Sequence, residues 1–377
     1  MTVISIDEAV DSIHMAREWT VPQESSAPTL KDVADLARVS PTTASMALSG
    51  RTGSAHLSQA CISRVHSAAK HLGYRGNYHA RSLASGRAYT IGLSAGAGPV
   101  SLIEHDFFNP IIGGVEAATR ARGYDMLVIG GTGAMMPLER AFNHLEERRL
   151  DALIIVRTLY PRVTPEIQSS RLPIVLLEGA DVPELPQVSF DCAPGLIQAV
   201  SHLAELGHRR LCWVSPLTEL PLTQASLRQH VLEQEVAARG LVLEHLLLQE
   251  PTTDPNALSG TTSGYHQAIV SCTLPAATAF LCYNDSVALA LSYRLMRDGI
   301  DIPGQVSVIG FDDRYGGLMV PPMTTVSHSQ RLLGETCVHL ALDILDGTVA
   351  TSPVPSRRVA SRLVIRGSTG PCRAGSG

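Results

Sequence analysis

A chain of 377 residues, 45% of them hydrophobic, is too long for one ordinary domain and suits a small domain joined to a two-lobed core. Its net charge of −5 does not by itself point to nucleic acid, but the charge is uneven: Ala27 to Ala88 carries eight Lys/Arg against two Asp/Glu, a local +6 that leaves −11 for the rest. No apolar run approaches the ~20 residues of a membrane span, and the seven cysteines are scattered without a Cys-x-x-Cys pair, which excludes a transmembrane helix and a disulfide framework.

Residues 1–27 form an acidic extension. Asp7, Glu8, Asp11 and Glu18 stand where an export leader would need cations, so the expected location is the cytoplasm. The extension reads as a disordered tail, and Met15 is an alternative start.

From Thr29 to Ser49 two short helices meet at a tight turn. Leu30, Val33, Ala34 and Ala37 recur at helical spacing on the first. Ser40 is placed to cap the second, and Pro41 takes its first position, where the missing N–H costs nothing. Ala44, Ala47 and Leu48 make its inner face, while Pro41, Thr42, Ser45, Met46 and Ser49 face outward. Such a face, small and mostly uncharged, suits a major groove, although an ordinary helical hairpin has the same inner pattern. His56 to Leu72 reads as a third helix with Ile62, Val65, Ala69 and Leu72 inward, followed by Gly-Tyr-Arg-Gly-Asn-Tyr-His-Ala-Arg-Ser-Leu from Gly73 to Leu83.

These paired motifs resemble the LacI/GalR family of bacterial transcription regulators, from Thr29 to about Arg366. The family's head reads T-[LI]-x-D-V-A-x-x-A-G-V-S-x-x-T-V-S-R-x-L-N, and its hinge reads G-Y-x-P-N-x-x-A-R-S-L. The resemblance implies an N-terminal all-α helix-turn-helix head plus an α/β periplasmic-binding-protein-like core of two doubly wound parallel-sheet lobes. It further implies base reading by Pro41, Thr42 and Met46 and backbone contacts from Thr29, Ser40, Thr43, Ser45, Arg51 and Tyr74. A hinge helix would include Asn77, Ala80 and Leu83, with Leu83 wedged into the minor groove. Three positions depart from the family. Met46 stands where Arg is common, so the half-site should differ, because Met cannot make the bidentate bond to guanine. Arg38 replaces the turn glycine, at roughly 1 kcal/mol if the position needs positive φ. Gly76 replaces the hinge proline.

Beyond Tyr89, buried strands alternate with amphipathic helices. Strand-like runs are Tyr89–Ser94, Asp125–Ile129, Ala152–Val156, Ile174–Leu177, Leu211–Val214, Ala279–Cys282 and Val306–Ile309. Helical stretches between them include Pro110–Arg122, Leu138–Glu147, Gly195–Leu206, Ser226–Arg239 and Ser286–Asp298, several with glycine just past the end. The expected division is a head at 28–75, a linker at 76–88, a core at 89–370 and a tail at 371–377. Within the core, the first lobe would hold 89–187 and 327–357 and the second 188–326 and 358–370, with crossings near Val188, Val326 and Arg358.

The glycines at 92–98 and 130–133 do not complete a dinucleotide loop and read as turns. No nucleophile elbow, His-Glu-x-x-His or zinc-spaced set occurs, so no catalytic residue, cofactor or metal is expected. Candidate effector residues lie at predicted strand ends: Asp106, Phe107, Phe108, Asp191, Asn284 and Asp312, with Arg228 placed by resemblance to the family's ligand-binding arginine. Arg228 and Asp312 would grip hydroxyls while Phe107 or Phe108 stacks on an apolar face; the competing meaning is a structural ion pair.

The expected function is a homodimeric repressor on a pseudo-palindromic double-stranded DNA operator, controlled by a small polar effector of the sugar type. Two alternatives stay open: a regulator without ligand control, because Val231-Leu232 replaces the family's Gly-Tyr pair, and a cytosolic binding protein with a vestigial head.

Overall fold

The computed structural model describes residues 28–49, 57–74, 82, 85–95, 107–130, 137–156, 170, 172–178, 184–217, 224–249, 262–314 and 316–373. The chain divides into two units, Met1–Gly86 and Arg87–Gly377.

In the first unit, helix α1 spans Leu30–Ala37, α2 Pro41–Ser49 and α3 Gln59–Leu72. Thr29 starts α1 through a reciprocal cap: its hydroxyl accepts the Asp32 N–H at 3.3 Å, and the Asp32 carboxylate accepts the Thr29 N–H at 2.8 Å. Ser40 starts α2 by accepting the Thr43 N–H at 3.1 Å. The core is built from Val33, Ala34, Ala37, Ala44, Ala47, Val65, Ala68 and Ala69, with Leu30, Val39, Leu48, Ile62 and Leu72 packed around them. Alanines at these positions let three short helices approach closely. His56 lies outside the described residues, and α3 starts after Ser58, whose hydroxyl accepts the Cys61 N–H.

Between α1 and α2 the chain turns at Arg38, which sits at φ 53° and ψ 52° and donates its N–H to the Ala34 and Asp35 carbonyls. This left-handed position favours glycine because a Cβ crowds the following carbonyl. Arg38→Gly is expected to stabilise the head by about 1 kcal/mol, read as a roughly fivefold slowing of amide exchange across α1 in the full-length chain. Unchanged exchange would show that the Arg38 side chain offsets the strain.

The second unit holds two six-stranded sheets. Its strands are β1 Thr90–Ala95, β2 Asp125–Ile129, β3 Ala152–Val156, β4 Ile174–Leu177, β5 Gln187–Asp191, β6 Arg210–Pro216, β7 Val242–Leu248, β8 Ala279–Cys282, β9 Ser307–Phe311, β10 Thr324–Ser327, β11 Ser356–Ala360 and β12 Arg362–Val364. The first sheet has the order β11-β5-β4-β3-β1-β2, the second β12-β10-β9-β8-β6-β7. All pairs are parallel except β10–β12. The helices are α4 Asn109–Ala121, α5 Pro137–Glu146, α6 Ala193–Glu205, α7 Gln224–Ala238, α8 Thr262–Ser271, α9 Asp285–Arg297 and α10 Gln330–Leu345. β3 and β4 are buried along their whole length, as strands covered by helices on both faces must be. Gly123, Gly207 and Gly299 follow helix ends at φ 71°, 89° and 76°, matching the punctuation legible in the sequence. Gly92 lies inside β1 rather than in a turn, and a Cβ there would crowd Leu150 and Leu153.

Sheet membership moves two of the expected crossings. β5 pairs with β4 and β11, so the chain leaves the first lobe after Asp191, not near Val188. β11 also belongs to the first sheet and β12 to the second, so the third crossing falls at Ser361 rather than Arg358. The second crossing follows β10, after Ser327. At the start of this unit, both Asp151 carboxylate oxygens accept backbone N–H groups, from Ala88 at 2.8 Å and Tyr89 at 2.6 Å. These bonds tie Ala88, placed in the linker by the sequence, into the core.

Candidate functional site

The head presents the first candidate surface. Pro41 and Thr42 are exposed at the start of α2, and Ser45 and Met46 are half-buried one turn on. These side chains follow from the capped helix start, because Ala44 and Ala47 are drawn inward and rotate them out. The Thr29 hydroxyl donates to the Asp32 carboxylate at 2.8 Å, so in the chain by itself this side chain serves the cap of α1. The Ser40 and Thr43 hydroxyls lie 2.8 Å apart, and because only one donates to the other, one proton is left for a phosphate oxygen. Tyr74 is half-buried and packs on the head core. Arg51, Asn77, Ala80 and Leu83 lie outside the described residues, as does Asp106 in the core.

The second candidate site gathers at the C-terminal ends of strands from both sheets. Glu178 follows β4, Phe190 is the penultimate residue of β5, Tyr283 follows β8, Phe311 ends β9, Asp312 follows it, and His328 follows β10. Arg228 reaches them from α7. Its guanidinium carbon lies 3.6 Å from the centre of the Phe311 ring, 4.7 Å from that of Tyr283 and 5.4 Å from that of Phe190. Arg228 Nη1 donates to the Tyr283 carbonyl. Stacking and this one bond fix the guanidinium plane.

Arg228 and Asp312 are both nearly fully buried, yet Nη2 and Oδ1 stand 3.7 Å apart, beyond hydrogen-bond distance. Arg228 Nε, Asp312 Oδ1 and both ring nitrogens of His328 have no hydrogen-bond partner among the described residues. Arg228 and Asp312 form a close buried ion pair without a direct hydrogen bond, and each unmade bond at a buried polar atom costs about 1–3 kcal/mol. Their convergence on one spot leaves several buried polar atoms with bonding capacity for a water or a small molecule. His328 stacks on Phe190 at 4.2 Å between ring centres, and Phe107 approaches His328 at 6.2 Å. Asp312 and Glu178 adopt φ 96° and 62°, strained values for non-glycine residues of the kind stored at functional sites.

Burial sets the protonation of this cluster. Glu178 is pushed up to about 8 by desolvation, against the Phe190 N–H it accepts and the Arg228 charge. Asp312 is pushed up to about 7 by burial, with Arg228 pulling the other way. His328 is pushed down to about 3 by burial, then by Arg228. Between pH 6.5 and 8 the folded core keeps carboxyl protons that the unfolded chain has lost, so its stability falls as pH rises. Below pH 6.5 His328 acts oppositely, because the unfolded chain takes up a proton that the folded one refuses. The expected result is a core Tm that declines from pH 6.5 to 8, with Glu178→Gln flattening the upper half of that decline. A Tm that rises over this interval would contradict the assignment.

Other candidates have local duties. The Asn284 side chain caps α9 by accepting the Val287 N–H at 2.9 Å. Asp191 Oδ1 accepts the Ala193 N–H at 3.0 Å where α6 begins. Phe108 is buried in the hydrophobic core and packs edge-on against Phe107, which approaches His328. Glu178, Phe190, Tyr283 and His328 were not among the expected residues. Their signal was a polar or aromatic residue at the end of an apolar run, repeated four times.

The family model for bacterial regulatory proteins, lacI family, matches residues 29–77, and that for a periplasmic binding protein-like domain matches residues 200–369. The HTH-type transcriptional repressor CytR of Escherichia coli (strain K12) is 28% identical over 351 residues, covering 92% of this chain and 98% of that protein. The HTH-type transcriptional repressor PurR of Aliivibrio salmonicida (strain LFI1238) is 26% identical over 319 residues, covering 84% of this chain and 91% of its own. A crystal structure of the lac repressor dimer bound to operator and the anti-inducer ONPF superposes with a TM-score of 0.71 at 25% identity, covering 92% of this chain and 100% of the other.

Proposed function

We propose, on the premise that the chain belongs to the LacI family of bacterial regulatory proteins, that it is a homodimeric transcription repressor whose operator binding is controlled by a small polar effector. The observation that carries this reading is the union in one chain of a capped helix-turn-helix head and a two-sheet core with unsatisfied polar atoms at its strand ends. The effector class is a polyhydroxylated molecule with an apolar face, of the sugar or nucleoside type. Hydroxyls would bond Arg228 Nε, Asp312 Oδ1 and His328, and the ring face would meet Phe107. The orphaned atoms favour ligand control over a regulator that has lost it.

Pro41, Thr42 and Met46 are the proposed base-reading residues. An apolar tip at Met46 favours contact with a thymine methyl over a guanine edge. The proposed location is the cytoplasm, where operator DNA is; among the described residues no helix is long and apolar enough to cross a membrane. Selection from random duplex DNA with the full-length protein at near-physiological salt tests the reading. Enrichment of a palindrome whose half-site lacks the guanine read by an arginine is the expected result. No enrichment, with or without pooled sugars and nucleosides, would reject it.

A further inference from the structure

A groove of about 740 Å³ runs along the side of the core where the second and third crossings lie next to each other. It is lined by Ser327, Ser329 and Thr336 and by Arg357, Arg358 and Arg362, with no carboxylate among its lining residues. Arg357 is paired with Asp343 at 2.9 Å. Arg358 and Arg362 are exposed and make no ion pair among the described residues. Two uncompensated guanidiniums in a groove without carboxylates are unusual for a core of net negative charge, and their forked donors match phosphate oxygens. Ser329 caps α10, accepting the Leu332 N–H at 3.3 Å, so the positive end of a 16-residue helix opens onto the same groove.

We propose that this groove is a second binding site, distinct from the Arg228 cluster, for a small phosphorylated anion carrying two or more negative charges. The volume suits a molecule the size of a sugar bisphosphate or nucleotide. Arg358 lies on β11 of the first sheet, and Arg362 lies on β12 of the second, paired in register with Ser327. An anion held by both arginines bridges the lobes across the crossings. It therefore stabilises one lobe arrangement over the other and couples to effector and operator binding, with reciprocal effects on affinity.

Isothermal titration of the full-length protein with pyrophosphate at near-physiological salt tests the site. The expected result is one bound pyrophosphate per subunit. Binding should weaken at least about tenfold in the Arg358→Gln/Arg362→Gln double variant. Both substituted side chains are exposed, so thermal unfolding should be unaltered. No binding by the parent protein, or equal binding by the double variant, overturns the proposal. So does conversion of the double variant to a monomer in sedimentation, because the arginines would then serve a subunit contact. Operator binding measured on the same preparations without pyrophosphate keeps this outcome separate from the repressor reading.

Discussion

Arg228→Gln is expected to leave operator binding within about threefold of the parent while weakening the effector response at least about 100-fold, the effect of losing a buried charged donor. Glutamine keeps much of the volume between Phe311 and Tyr283 but loses the charge and the fixed plane. The fold tolerates this because Asp312, already pushed up to about 7 by burial, rises further without its cation and stays protonated. The decline of stability with pH should consequently extend upward in the variant. Operator titrations with and without a panel of sugars and nucleosides read the response, and thermal shifts read direct binding. A variant that responds to the same compound at the same midpoint would remove Arg228 from the site.

Leu318→Asp combined with Val320→Asp is expected to produce a monomer whose operator affinity falls by roughly 10³ or more, because one head then faces two half-sites without the gain of linked binding. Leu318 and Val320 are 86% and 82% exposed, while Met319 between them is buried in the second-lobe core and Pro321 follows. These two aliphatic side chains, held out on an anchored loop, are the contact proposed here for a second copy of the chain. Aspartate at such exposed positions costs the folded subunit little, within about 0.5 kcal/mol. Sedimentation equilibrium separates the outcomes: a dimer that persists at the parent's concentrations places the interface elsewhere.

Much of the architecture was legible because local chemistry and tertiary packing agree. Ser40-Pro41 announces a helix start whatever surrounds it, and the apolar runs of β2, β3, β4 and β8 begin and end where their flanking turns require. Strands that depend on partners were harder to read. β7 reads Val-Leu-Glu-His-Leu-Leu-Leu with exposed and half-buried positions, a pattern no periodicity rule assigns, and it is a strand because β6 pairs with it from Arg210 to Pro216. β11 and β12 are separated only by Ser361, so no turn signal marks the crossing; membership of opposite sheets does.

The same division holds at the proposed effector site. Arg228 and Asp312 were identifiable singly, from the family pattern and from a strand-end carboxylate. Their partners come from four other strand ends far apart in the chain, and only the topology of two parallel sheets brings Glu178, Phe190, Tyr283 and His328 to one place. The amino-acid sequence by itself determined a basic helix-turn-helix head, an alternating α/β core, the Ser40 helix start and the glycine-marked ends of several helices, because caps, turns and periodicity act over a few residues. The tertiary structure decided where the lobes exchange chain, which side chains gather around Arg228, and which buried polar atoms lack partners among the described residues. Those properties depend on long-range packing and desolvation, which bring together groups that no short window of sequence contains.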